Sequence, residues 1–483
     1  MSDRRVSTGS ERLDHILGGG LPAGRLYLVQ GDPGAGKTTL SLQFLLAGVA
    51  RGERVLYVTL SESREELTAV AASHGWSVDG LTIFELASGI EFLSLEEQNT
   101  VFEPSEVELA EVTSKLLRAF DDLRPTCVVF DSLSELRLLA QSALRYRRQL
   151  LALKQHFSES GATVLMTDDR TSEAGDLQLQ SLAHGVITLE QLSAIYGSER
   201  RRMRVLKMRG VAFRGGYHDF RIAKGGLRIF ERLVASEHHE PFEPGLVPSG
   251  NGEVDEMLGG GLDRGTSALF IGPSGAGKSA LSMQYACAAA ARGDAASIYA
   301  FDEGLYTVKL RANALGIPFD KLVESGKLRV QQIDPAEMTP GELADGIREE
   351  VDERGTKVVI IDSLNGYLAA MPEENFLTLQ LHEVLSYMRQ RGILVILVVA
   401  QTGLMGAMTS PVDVSYLADT VITFRYYEST GKVNKAISVL KRRAGSHTND
   451  IRELVMDKHG IRVGRSLTNL HGVLSGTPTP LTT

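Results

Sequence analysis

Gly31-Asp32-Pro33-Gly34-Ala35-Gly36-Lys37-Thr38 returns further along the chain as Gly272-Pro273-Ser274-Gly275-Ala276-Gly277-Lys278-Ser279. Lys278 follows Lys37 by 241 residues (278 − 37), and the same offset relates Asp14 to Asp255 and Glu62 to Glu303. Around those aspartates, Leu13-Asp14-His15-Ile16-Leu17-Gly18-Gly19-Gly20-Leu21 reads again as Val254-Asp255-Glu256-Met257-Leu258-Gly259-Gly260-Gly261-Leu262. One offset held by three motifs means a duplicated domain, because solenoid units run only about 20–50 residues. Between the copies, Glu231 to Val247 carries His238-His239-Glu240-Pro241 and Glu243-Pro244-Gly245 without hydrophobic periodicity. That stretch reads as a linker, with domains expected at 1–230 and 248–483 on either side of 231–247. Its two histidines lack a further ligand pair nearby in sequence and read as solvated.

Each glycine loop follows an apolar run and opens a helical pattern, the context that makes G-x-x-x-x-G-K-[ST] a phosphate-binding signature. The glycines let backbone N–H groups wrap the phosphates, and the helix N-terminus adds favourable partial charge. Expected nucleotide contacts are therefore the two loops together with Thr39 and Ala280. Lys37 and Lys278 would reach the β- and γ-phosphates, while Thr38 and Ser279 would place a hydroxyl on Mg²⁺. Val128-Val129-Phe130-Asp131-Ser132 and Val359-Ile360-Ile361-Asp362-Ser363 each end a buried run on a carboxylate, so Asp131 and Asp362 complete the expected metal shell. Glu62 and Glu303 follow the strand after each loop helix and can orient or deprotonate an attacking water. A plain surface role stands beside that reading, since Glu65 and Glu66 lie close by.

Short apolar runs alternate with longer amphipathic ones. Arg25 to Gln30, Val55 to Leu60, Thr126 to Phe130 and Thr163 to Thr167 read as strands of the first copy. Ala268 to Ile271, Ser297 to Phe301, Val358 to Ile361 and Ile393 to Val399 read as strands of the second. Helix-length stretches such as Ser105 to Leu123 and Asn375 to Arg391 separate them, which predicts an α/β fold with parallel strands and helices on both faces. A chain of 483 residues with 43% hydrophobic and 23% charged side chains can bury two such cores and is neither disordered nor collagen-like. Its net charge of −9 argues against a protein that coats nucleic acid or anionic membrane. The longest apolar run, Ile393 to Ala400, is far below the ~20 residues a spanning helix needs, and Met1-Ser2-Asp3-Arg4-Arg5 opens no signal-peptide pattern. Cys127 and Cys287 sit in apolar sequence, which predicts buried, reduced thiols and a cytoplasmic location.

Taken together, these motifs resemble the RecA-like ATPases and, within them, the double-domain KaiC family. The likeness spans essentially the whole chain. It includes Ser7-Thr8-Gly9, Val58-Thr59-Leu60-Ser61-Glu62, Ser73-His74-Gly75-Trp76 and Leu206-Lys207-Met208-Arg209-Gly210. In the second half it takes in Leu440-Lys441-Arg442-Arg443, His447 and Ile451-Arg452-Glu453-Leu454. The resemblance implies two tandem RecA-like P-loop NTPase domains, each a mostly parallel sheet with helices on both faces. It also implies ATP and Mg²⁺ as ligands and a homohexamer, or stacked dodecamer, with ATP between neighbouring subunits. Lys207, Met208 and Arg209, and likewise Lys441, Arg442, Arg443 and His447, match residues that contact the nucleotide of the adjacent protomer. Cations placed there would neutralise charge that builds during phosphoryl transfer. Ser73 matches a further nucleotide contact.

Departures from the family pattern shape the remaining expectations. KaiC carries two adjacent glutamates at each catalytic position, where this chain has Ser61-Glu62 and Asp302-Glu303. Hydrolysis is expected to survive in both halves, with Asp302 a shorter second carboxylate displaced by roughly 1 Å. The family's Ser-Thr phosphorylation pair becomes Ser415-Tyr416, leaving Ser415 as the one candidate for autophosphorylation. Gly472 to Thr479 resembles the family's tail loop, but the longer extension through which clock members engage KaiA does not follow. A signalling ATPase without a KaiA-type partner is expected. Two other readings stay open: a RecA/RadA-type DNA recombinase, for which Arg200-Arg201-Arg202-Met203-Arg204 would be the contact patch, and a scaffold whose ATP is structural.

Overall fold

The computed structural model describes residues 4–85, 104–140, 142–169, 178–193, 197–368, 374–403, 415–429, 431–474 and 479–480. The chain divides into two compact units, Met1–Arg232 and Leu233–Thr483. Among the described residues each unit holds one nine-stranded sheet. In the first, the spatial order is Gly226–Phe230, His218–Ala223, Arg200–Met208, Gly185–Leu192, Leu26–Gly31, Thr163–Asp169, Cys127–Asp131, Val55–Thr59 and Thr82–Glu85. From Gly185–Leu192 to Thr82–Glu85 the pairing is parallel, and the other three strands extend the sheet antiparallel.

The second unit repeats the plan. Its parallel part runs Leu328–Gln332, Ala295–Ala300, Thr356–Asp362, Leu394–Ala400, Ser267–Gly272 and Thr420–Ser429, followed by antiparallel Lys432–Arg442, Arg452–Asp457 and Gly460–Ser466. Four parallel strands in each unit match the apolar runs read from the sequence to within one or two residues, because a doubly covered strand is apolar on both faces; Thr82–Glu85, Gly185–Leu192, Leu328–Gln332 and Thr420–Ser429 were not among those runs.

Alternation along the central strands builds two cores per unit. On Leu26–Gly31, Tyr27 and Val29 join the cluster that contains Leu42 and Leu45 of the helix Lys37–Ala50. Leu28 points the other way, into a cluster with Phe120, Leu153 and Phe157. In the second unit Ala268 and Phe270 face Leu281 and Tyr285 of the helix Lys278–Ala291, whereas Leu269 joins Leu381, Val384 and Tyr387. Leu233 and Ala235, just past the division between units, pack into that last cluster. Cys127 and Cys287 are buried and unbridged, and burial pushes both thiols up to about 12. Among the described residues no helix is long and apolar enough to cross a membrane.

Candidate nucleotide sites

Both glycine loops leave the C-terminal end of the central parallel strand, where α/β sheets open the crevice that holds ligands. Gly36 and Gly277 sit at φ of 100° and 114° at the N-caps of the 14-residue loop helices. That left-handed backbone is open to glycine at no steric cost. Neither cap is closed by a side chain, so the first N–H groups of each helix remain available to an anion. The lysines are buried and rest on main-chain carbonyls. Lys37 Nζ donates to Gly31 O at 2.9 Å and Asp32 O at 3.0 Å, and Lys278 Nζ donates to Pro273 O at 2.7 Å.

The loops differ in what else meets the lysine. Lys37 Nζ forms an ion pair of 2.6 Å with Asp169 Oδ1, and Ser134 Oγ donates to the other oxygen of Asp169 at 3.0 Å. Asp169 pairs with Gly31 in the sheet, whereas the residue paired with Gly272 is Ala400, so that position supplies no carboxylate to the second lysine, and none of the ion pairs among the described residues involves Lys278. Burial pushes Lys278 down to about 8, with Asp362 acting in the opposite direction. The sequence reading missed Asp169, because a second acid at the end of the next strand has no motif to announce it.

Asp131 and Asp362 lie where the strand pattern put them. Thr38 Oγ1 donates to Asp131 Oδ2 at 3.1 Å; Tyr57 donates to the same oxygen and Thr167 to Oδ1. In the second unit Ser279 bonds to Asp362, whose carboxyl is raised first by burial and then by Glu303. The peptides Asp131–Ser132 and Asp362–Ser363 are both cis. Asp302 accepts from Ser363 Oγ, so it lies beside the end of the same strand.

The two glutamates have different surroundings. Glu62 Oε2 and Glu303 Oε2 are both buried without a hydrogen-bond partner among the described residues, but the charges around them differ. Burial first, then the carboxylates of Asp131, Glu66 and Asp169, raise Glu62 to about 7 against the pull of Lys37. Glu303 is held by both terminal nitrogens of Arg311, at 2.8 and 2.6 Å. A fixed offset of 241 puts Val70 where Arg311 stands, so the first unit has no arginine at that position to hold Glu62.

Because the Glu62 pKa lies above its unfolded value, the contribution of this group to stability is fully present below about 4.5 and is lost as the pH rises through about 7. Glu62→Gln is therefore expected to raise the Tm of nucleotide- and metal-free protein more at pH 8 than at pH 5. Equal shifts at both pH values in scanning calorimetry would contradict a raised Glu62.

The basic residues lie elsewhere. Lys207 and Arg209 stand at the N-terminal ends of the parallel strands, opposite their own loop, since Met208 pairs with Gly185 and Gly185 with Tyr27. A β-bulge aims them. Val186 pairs with Lys207 and Ile187 with Val205, leaving Leu206 as the extra residue. The extra residue turns Lys207 off the core side occupied by Met203, Val205 and Met208. The second unit repeats this with Leu440 as the extra residue before Lys441. Lys207 Nζ donates to Gln180 O and Arg209 Nη2 to Ser181 O at 2.8 Å; Lys441 Nζ and Arg443 Nη2 donate to Ser415 O at 3.0 Å and Tyr416 O at 2.9 Å.

Not every residue in these runs is free to face a ligand. The Met208 side chain is in the core, and Arg442 is tied to Asp263 at 2.8 Å and to Leu258 O within its own unit. Ser73 is spent on Val70 O at the end of its helix, while the neighbouring His74 reaches Thr39 Oγ1 at 3.3 Å. His447 lies partly exposed beyond the strand Lys432–Arg442. Ser415 and Tyr416 are exposed, but Val414 falls outside the described residues.

A family model described as an ATPase, KaiC, matches residues 6–234 and again 247–468. Among curated proteins, the circadian clock protein KaiC3 of Synechocystis sp. is 27% identical, covering 98% of this chain and 94% of its own length. The circadian clock oscillator proteins KaiC of Thermostichus vulcanus and Synechococcus elongatus are each 28% identical over 99% of this chain and 92% of theirs.

Proposed function

The chain belongs to the KaiC family of ATPases, two RecA-type units in tandem, and from that premise we propose that it hydrolyses ATP in both halves as a homohexameric ring with signalling or timing output. One observation carries the assembly: Lys207, Arg209, Lys441 and Arg443 lie at the end of each sheet opposite its own glycine loop. A six-residue strand spans about 20 Å, beyond the reach of one side chain. A phosphate held by the loop of a second copy is what these cations can meet.

Within one site, the loop N–H groups and Lys37 or Lys278 hold the phosphates. Glu62 or Glu303 takes the proton of a water whose oxygen attacks the γ-phosphorus, as the bond to the ADP oxygen breaks. The neighbour's lysine and arginine neutralise the charge spread over the γ-oxygens. Thr38 with Asp131, and Ser279 with Asp362, bring a hydroxyl and a carboxylate oxygen together, hard donors that suit Mg²⁺. Bound there, the ion would offset phosphate charge.

Lys441 also bonds to the main-chain carbonyl of Ser415, which makes this exposed serine the candidate acceptor of a phosphoryl group from a nucleotide met by Lys441. The recombinase reading loses its patch: Arg202 is paired with Glu190 at 2.8 Å and stacks on Tyr217, and Arg201 donates to Gln191. Nuclease-treated protein incubated with Mg·ATP is expected to elute as a hexamer or its stacked dimer and to carry phosphate on Ser415. Phosphate should be absent from Ser415→Ala. Turnover by a monomer would overturn the intersubunit reading, and an unmodified Ser415 during turnover would remove the autokinase.

A further inference from the structure

At the N-terminal ends of the first unit's parallel strands lies a cavity of about 140 Å³, lined in part by Arg25, Lys154, His184 and Arg209. No carboxylate is among its described lining residues. Lys207 is not in the lining but lies near enough for its charge to act on His184 and to feel Arg209 and Lys154. Burial and then Arg209 hold Lys154 below the usual lysine range, and Lys207 is lowered by burial, Arg209 and Lys154. Burial, Arg25, Arg209 and Lys207 act together to lower His184. The polar partners of these cations are neutral carbonyls: Leu182 O for Lys154 at 2.8 Å, Gln180 O for Lys207 and Ser181 O for Arg209.

The second unit shows what is missing. Leu26 pairs with Val164 and Tyr27 with Gly185, whereas Ser267 pairs with Val395 and Ala268 with Thr420. Those registers set Arg25, Lys154 and His184 against Thr266, Leu385 and Asp419. Leu385 is a core residue. Asp419 forms ion pairs with Arg443 at 3.3 Å and Arg389 at 3.2 Å. The second unit thus carries an internal anion beneath its lysine–arginine pair; the first has a histidine in its place, gains Arg25 and Lys154, and has Ser158 where the second has Arg389.

We propose that this cavity of the first unit binds a phosphate-class dianion, which fills the electrostatic place Asp419 holds in the second. The inference rests on the reading of Lys207 and Arg209 as phosphate contacts and adds Lys154 and Arg25 to them. Guanidinium groups match phosphate oxygens two at a time, and a lysine supplies a compact charge. Two sources share this chemistry: the terminal phosphate of a nucleotide on a second copy, and free inorganic phosphate.

The test uses full-length protein carrying Lys154→Met, which keeps an unbranched stem but loses the charge, and Lys154→Arg, which restores the charge. One arm titrates inorganic phosphate into nucleotide-free protein by calorimetry. The other follows assembly driven by a non-hydrolysable ATP analogue in a Lys278→Ala background, where only the first loop is loaded. Lys154→Met is expected to weaken one of the two by about tenfold or more, with recovery in Lys154→Arg. Loss in the first arm identifies free phosphate, and loss in the second identifies the neighbour's nucleotide. If Lys207→Ala impairs assembly while Lys154→Met changes neither arm, the cavity site is wrong and the intersubunit reading stands. If neither variant has an effect, both are wrong.

Discussion

Glu62→Gln and Glu303→Gln are each expected to lower turnover in their own half by about 10²- to 10⁴-fold, the usual contribution of a positioned base. Nucleotide binding should persist, since the loop N–H groups and lysines are untouched. Each half is measured alone by disabling the other loop, with Lys278→Ala for the first and Lys37→Ala for the second. The first half has the simpler expectation. Among the described residues Glu62 has no ion pair like that of Glu303 with Arg311, and it stands near the Asp131 shell. Glu303 must leave Arg311 before it can receive a proton, so the second half should be the slower of the two. Turnover unaffected by either change would remove the catalytic assignment.

Lys441→Ala and Arg443→Ala are expected to reduce second-half turnover by about 10³-fold or more, the range known for cationic fingers in phosphoryl transfer. Lys207→Ala and Arg209→Ala should do the same in the first. The decisive measurement is mixing. Glu303→Gln subunits lack the base but keep Arg443, and Arg443→Ala subunits keep the base. A ring of both contains interfaces with one intact partner on each side, so mixing two inactive proteins should restore part of the rate. Without any recovery, the cations would be acting within their own chain or only on the fold.

The four central parallel strands of each unit and the loops were legible in the sequence because both are local patterns, whereas the parallel strands Thr82–Glu85, Gly185–Leu192, Leu328–Gln332 and Thr420–Ser429 were not read. A doubly covered strand is a continuous apolar run, and a phosphate loop needs glycine at fixed spacing to the lysine. Asp131 and Asp362 were legible for the same reason, each closing such a run. The antiparallel extension was not. Arg200–Met208 reads as a basic stretch because its inward side chains, Met203 and Val205, are spaced among four arginines. The bulges at Leu206 and Leu440 were invisible as well, since an extra residue is defined only by what the partner strand lacks. Asp169, His74 and Arg311 belong to the same class. Each acts on a loop or glutamate through a contact that strand order creates, with no spacing in the chain to mark it.

The contrast between Asp169 and Ala400 bears on what happens when nucleotide is withdrawn. An empty first loop keeps its lysine neutralised by Asp169, so depletion leaves that half at rest with its charges matched. An empty second loop leaves Lys278 buried, pushed down to about 8 and, among the described residues, without an ion-pair partner of that kind. Starvation should therefore be felt unequally along one chain. Withdrawal of nucleotide is expected to lower the stability of the second half more than that of the first.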